Sequence, residues 1–273
     1  MSGEHGPEEW LQSSIGHSTA DAITVRGRDL ARDLMGRMSF GDVAFLLASG
    51  REPSRGESRL FDAVLVALAD HGLTPTALAA RLTYTGAPEA LQGALAAGLL
   101  GGGSVFLGPV EDTARFLHEI VAELPEPEGG ELNLEALAGE AVEAAVASGR
   151  RIPGLGHPVH KHTDPRTPRI YRLAEETGLT GPHLRLLEHV AAAHRRVSGK
   201  SLPINGAGAS GAALADLGFP PFLTRGFALL ARAAGLIGHL AEEAENPIGM
   251  RLWKEVDRRA AGAAEPRPDG PTR

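Results

Sequence analysis

Residues 150–169 read RRIPGLGHPVHKHTDPRTPR, and the rest of the chain is best understood from this run outward. Gly154, Gly156, His157, Pro158, His160, Lys161, His162 and Asp164 crowd together with neither a helical nor a strand period. Pro153 and the two glycines predict a loop whose backbone can approach a ligand closely. Asp164 followed by Pro165 reads as an N-cap with proline at the first helical position; IYRLAEET carries the helix on and Gly178 closes it. A loop dense in His, Lys and Arg that runs into a helix N-terminus suits a phosphate or a carboxylate. The plainer alternative is a charged surface turn.

On either side of this loop the pattern is helical. Ser39 is placed to cap a helix over FGDVAFLLASG that stops at Gly50. Residues 57–69 put Leu60, Val64, Leu65 and Leu68 on one face, and the helix ends at Asp70-His71-Gly72. Pro75 starts a helix carrying Leu78, Arg81 and Leu82, and Pro88 starts another that glycines 101–103 stop. Amphipathic or Ala-rich helices are predicted over 110–124 and 132–148, joined by the acidic connector 125–131. Residues 183–197 turn Leu184, Leu187, Val190 and Ala191 inward. Residues 225–243 form a long helix rich in small residues, suited to close helix packing. One short extended segment, 22–25, is the sole strand candidate, so the fold class is all-α.

Composition narrows the function. The 273 residues carry 42% hydrophobic and 22% charged side chains, enough for one large or two modest domains. A net charge of −7 argues against a nucleic-acid partner. The absence of cysteine excludes disulfides, thiolate nucleophiles and iron–sulfur ligation. The uncharged run 91–110 has membrane length, but its glycines favour a buried helix ending in a turn over a membrane span. With no apolar leader in MSGEHGPEEW, a cytoplasmic protein is expected.

Two motifs need weighing. Residues 206–211, GAGASG, satisfy G-x-G-x-x-G, but no strand precedes them and no acid follows at the distance a dinucleotide site requires. His157, His160, His162 and Asp164 are metal-ligand types, yet their spacing matches no standard site and serves an anion as well. Arg232 stands among small residues where a charge is costly unless it is paired or faces a site, or else it lies on the outward face. His239 shares its face and could be a core histidine satisfied by a neighbour. The chain thus offers polar knots at His71, His157 and Arg232 able to converge on an anionic substrate.

In this order the knots resemble the citrate synthase superfamily, most nearly citryl-CoA lyases and the citryl-CoA lyase module of ATP-citrate lyases. The segments carrying the likeness are VRGRDL, FGDVAFLLASGREP, ALADHGLTPTALAAR, GLLGGGSVFLGP, PGLGHPVHKHTDPR, LPINGAGASGAALADLGFP and RGFALLARAAGLIGHLAEE. The resemblance implies an all-α homodimer with a large domain (15–104 and 216–258), a smaller mobile domain (105–215) and disordered tails at 1–14 and 259–273. It implies cleavage of citryl-CoA, or a related 3-hydroxyacyl-CoA, to acetyl-CoA and oxaloacetate. The alternatives are citrate synthase-type condensation with an oxo acid or an inactive CoA-binding paralogue.

Carried over, His157 would hydrogen-bond the carbinol or carbonyl oxygen and relay its proton, with His71 as a second acid/base histidine. Arg232, Arg166 and Asn205 would bind the substrate, and Gly154, Leu155, Gly156 and Lys161 would lie by the adenine and phosphates of coenzyme A. No metal and no bound cofactor are implied, since the coenzyme A thioester is itself the substrate. The chain departs from the family at three places: Ala207 occupies the position of the catalytic aspartate, Pro158 that of an arginine, and the glycine turn after residue 100 lacks a histidine.

Overall fold

Cap signals in the sequence translate directly into helix boundaries. In the computed structural model, which describes residues 13–122 and 133–261, Ser39 and Asp42 form a reciprocal capping box at the start of α1 (Phe40–Ser49). Gly50, in the left-handed region at φ 78°, ends it. Ser54 and Glu57 repeat the box for α2 (Arg55–Ala69), which therefore begins two residues ahead of the expected start. Pro75 opens α3 (Pro75–Gly86). The next helix, α4 (Leu91–Leu100), starts later than expected from Pro88, because Ala87 to Ala90 close a turn first. α5 (Gly108–Ala122), α6 (Leu134–Ala147), α7 (Arg166–Glu176), α8 (Pro182–Ser198), α9 (Gly206–Asp216), α10 (Pro221–Glu245) and α11 (Gly249–Ala261) follow.

The fold is all-α. Its only sheet among the described residues is a small antiparallel meander of β1 (Gly16–Ser18), β2 (Ile23–Val25) and β3 (Arg28–Asp29). Only the middle strand was legible as extended sequence; the outer two are short and exposed. The run 91–110 divides between α4, a glycine turn and the start of α5, and no described helix is long and apolar enough to cross a membrane. The expected connector 125–131 falls outside the described residues, as do most of the tails expected to be disordered.

Packing follows the small residues. α6 lies on α8, α3 on α4 and α5 on α9, while α10 runs against α2, α3, α4 and α5. A Cβ added to Gly235 would meet the Ala69 carbonyl oxygen at 2.1 Å, so this glycine is what lets α10 close onto the end of α2. Phe45, Phe61, Phe219 and Phe227 form an edge-on aromatic knot in the main core. On α8 the buried stripe runs through Leu184, Leu187, Val190, Ala193 and His194; Ala191, expected inward, is half-buried as the stripe drifts round the helix.

Candidate active site

A cavity of about 810 Å³ opens where the glycine loop faces the ends of α2 and α9 and the middle of α10; His71, Gly154, His157, Arg166, Ala207 and Arg232 all line it. The structure thus gathers the three polar knots, although they lie far apart in sequence. Leu155, Gly156 and Asn205 also reach it.

The loop is held open by backbone bonds rather than by side-chain packing. Gly156 N–H donates to Pro203 O at 2.8 Å and Asn205 N–H to Gly154 O at 2.9 Å, making a short bridge with Leu155 opposite Ile204. Gly154 and Gly156 both sit in the left-handed region, at φ 82° and 78°. Asn205 uses both ends of its amide here. Its Oδ1 accepts from Gly208 N–H at 2.8 Å and caps α9, while its Nδ2 donates to Gly156 O at 2.6 Å. Its placement is that of a clamp between helix and loop. Lys161 does not line the cavity; its Nζ donates to the His157 carbonyl at 3.1 Å.

His157 is fixed in one tautomer. The backbone N–H groups of Val159 and His160 both donate to its Nδ1 at 3.1 Å. A proton on Nδ1 would collide with these donors, so the neutral ring carries its proton on Nε2. Burial, and then the neighbouring His160 ring, hold the imidazolium below its ordinary range. His157 is therefore a neutral hydrogen-bond donor. The relay expected of it would require Nδ1 to be freed from two backbone bonds.

Two more rings adjoin it, with centroids 4.5 Å away for His160 and 5.2 Å for His71. The sequence did not signal His160 separately from its neighbours; stacking on His157 singles it out. One ring nitrogen from each of His71, His157 and His160 lies within 4.8 Å of the others. As a metal-ligand set this trio fits poorly, because His157 Nε2 already bears the proton. His162 and Asp164, the other metal-ligand types in the loop, do not join it.

The two arginines differ in kind. Asp164, fully buried, grips Arg166 with both oxygens, at 3.0 Å to Nε and 2.7 Å to a terminal nitrogen. It also accepts from the backbone N–H of Gly206 and Arg166. Burial pushes this carboxyl up, but the Arg166 fork and the backbone donors outweigh it and hold it far below the usual range. The expected N-cap is shifted by one residue: Pro165 caps α7, and Asp164, just before it, accepts the N–H of the first helical residue, Arg166, and reaches the start of α9 as well. Arg232 is 6% exposed, and its Nε and one terminal nitrogen have no protein partner. Burial lowers its pKa, with Asp70 opposing and Arg166 adding to the shift. A buried guanidinium with unpartnered donors beside a cavity has the chemistry to receive an anion.

His239 is the satisfied histidine. Its Nε2 lies 2.8 Å from Asp70 Oδ1, and its Nδ1 faces Arg81, a group that only donates.

Comparison with known proteins matches this architecture. A solved citryl-CoA lyase from Hydrogenobacter thermophilus is 32% identical, with TM-score 0.80 and 96% of each chain covered. An ATP citrate lyase from Methanothrix soehngenii, solved with citrate and coenzyme A, shares the fold at 23% identity and TM-score 0.72, over 86% of this chain and 39% of that one. The ATP-citrate synthase beta chain protein 2 of Arabidopsis thaliana is 27% identical over 234 residues, 79% of this chain and 36% of the relative. The chain thus spans well under half the length of such curated relatives. The family model for the C-terminal domain of citrate synthase matches residues 48–254, and the chain belongs to the citrate synthase family.

Proposed function

We propose that this chain is a carbon–carbon lyase that cleaves citryl-CoA, or a related 3-hydroxyacyl-CoA, into acetyl-CoA and an oxo acid. The observation that carries the reading is the pairing of an unpartnered buried cation, Arg232, with a neutral donor, His157, in one cavity. Arg232 takes a carboxylate of the acyl chain. His157 Nε2–H donates to the hydroxyl oxygen and stabilises the negative charge that develops there. His71, beside it and lining the same cavity, accepts the hydroxyl proton. The C–O bond then becomes a carbonyl as the carbon–carbon bond breaks. The released electron pair passes into the thioester enolate, which takes up a proton to give acetyl-CoA.

Arg166, neutralised by Asp164, serves chiefly to shape the pocket and offers its remaining N–H to the substrate anion. The glycine loop, Gly154 to Gly156, lies by the coenzyme A moiety, and Asn205 supports the substrate through that loop. Citrate and coenzyme A in the Methanothrix relative support this substrate class. Cleavage is preferred to condensation on the likeness to the solved citryl-CoA lyase; Ala207 places a methyl where the family has an aspartate, so the enolate step relies on another group in either direction. The same reading carries a cytoplasmic homodimer, with residues 105–215 as a smaller domain moving against 15–104 and 216–258. Exposed Phe222, Ile237 and Trp253 on α10 and α11 are apolar surface available for that pairing.

The test is release of acetyl-CoA and oxaloacetate from citryl-CoA by the wild type and by His157→Ala, with coenzyme A binding measured calorimetrically in parallel. Release by the wild type, lost in the variant while binding persists, is expected. Binding without any wild-type turnover would overturn the lyase reading in favour of an inactive coenzyme A-binding protein.

A further inference from the structure

The cleavage reading leaves Asp70, His239 and Arg81 unused, yet they form a hydrogen-bonded polar chain from the surface to the core beside the cavity. Arg81 is 2% exposed and pairs with Glu243 at 3.0 Å and with Glu242. Its Nε and a terminal nitrogen point at His239 Nδ1, at 3.3 and 3.0 Å. Since guanidinium only donates, His239 Nδ1 is bare and its proton sits on Nε2, facing Asp70 Oδ1 at 2.8 Å. The other oxygen of Asp70 accepts from Gly72 N–H at 2.8 Å, closing the turn that displays His71.

The helix carrying this chain also carries the carboxylate receptor. Arg232, Gly235 and His239 share a face of α10, and Gly235 is pressed against Ala69 O and Asp70 Cβ. One rigid face therefore sets both Arg232 and the segment immediately before His71.

We propose that His239 is a positioning residue for this site, acting through Asp70 on the His71 turn and on the charge that faces Arg232. With its ring locked between Arg81 and Asp70, His239 holds the carboxylate in one place. Without it, Asp70 is free to turn to solvent, the His71 turn loses its register, and Arg232 loses the negative charge that acts on it. The kinetic part of the claim rests on the cleavage reading; the structural part does not.

The test uses the full chain with ¹⁵N-labelled histidine and long-range ¹H–¹⁵N spectra, the His71 signals being assigned by their loss in His71→Gln. His239→Leu and Asp70→Ala are expected to move the His71 ring signals. Both are expected to lower kcat/KM for citryl-CoA on the order of 10-fold or more, with coenzyme A affinity unchanged. His239→Gln, whose side-chain amide still donates towards Asp70, is expected to retain wild-type spectra and rates. His71 signals unmoved in both disruptive variants would overturn the proposal, as would a Gln variant as damaged as the Leu one. If wild type does not cleave citryl-CoA, the spectra decide alone. Asp70 is half-exposed, so Asp70→Ala remains a folded test even where His239→Leu, which removes one partner of buried Arg81, does not fold.

Discussion

Asp164 holds Arg166 in a two-pronged ion pair beneath the glycine loop, and the same carboxylate tethers the first N–H of α9. One buried charge thus joins loop, α7 and α9. Its folded-state pKa is depressed, so its contribution to stability is present above the unfolded carboxyl value of about 3.9 and is lost as pH falls through that value toward the folded one. Asp164→Asn is expected to cost about 3 kcal/mol at neutral pH, since it strands a mostly buried guanidinium. Unfolding curves should show this gap narrowing progressively below about pH 5, as the unfolded wild-type chain takes up a proton that the folded one does not. A gap constant down to pH 3 would locate the acid sensitivity elsewhere.

The locked tautomer of His157 makes a second pH prediction, on activity rather than stability. The donor must be neutral, and burial together with His160 keeps its imidazolium pKa low. The acid limb of kcat should therefore lie below the ordinary imidazole value of about 6.5. Removing the His160 ring in His160→Gln relieves one of the two main causes and should move that limb upward. A limb unmoved by the substitution would show that another group governs it.

Much of this was legible from residues alone. Ser39, Gly50, Pro75 and Gly178 marked helix ends because capping is local chemistry, decided within four residues. His71, His157 and Arg232 stood out because their types conflict with an apolar or turn-like setting. What stayed hidden depends on distant partners. Nothing local in DPR says that Asp164 reaches Gly206 N–H, 42 residues on, and nothing in IGHL says that His239 meets Asp70 across 169 residues. Asn205 was read as facing substrate, and only the fold shows its amide spent on Gly156 and Gly208.

Close backbone contact makes the loop sensitive to a single methyl. A Cβ on Gly208 would lie 2.6 Å from Gly154 Cα and 2.7 Å from its carbonyl oxygen, with no flexible side chain to yield. Gly208→Ala is expected to destabilise by about 2 kcal/mol and to weaken coenzyme A binding together. Thermal melting and calorimetry on one preparation check both. Destabilisation with unchanged coenzyme A affinity would detach this loop from coenzyme A recognition.

On the proposed reading, Arg232 trades stability for recognition. Its free Nε and terminal nitrogen are buried without a protein partner, a cost the folded chain bears in the absence of an anion. Arg232→Met, similar in length and apolar, should melt higher, by about 1 kcal/mol of stability, while losing affinity for the carboxylate substrate on the order of 100-fold. Excess citrate should raise the melting temperature of the wild type and leave the variant unmoved. A variant that melts lower would mean that the guanidinium supports the fold rather than waiting for a ligand.

Ala207 bears on the enolate step, whose rate a base at this position would raise in both directions alike. It lies at the second position of α9, lining the cavity just after the capping Asn205, where the helix dipole favours a negative charge. Ala207→Asp is therefore expected to fold and to place a carboxylate at the thioester methyl. Wild type should exchange methyl hydrogens of acetyl-CoA with deuterated solvent slowly; the variant should do so faster on the order of 10-fold or more, since a positioned base lowers the barrier to enolate formation. Mass spectrometry of recovered acetyl-CoA measures this without any assumption about the oxo acid. Equal exchange in both proteins would mean that another group already serves as the base.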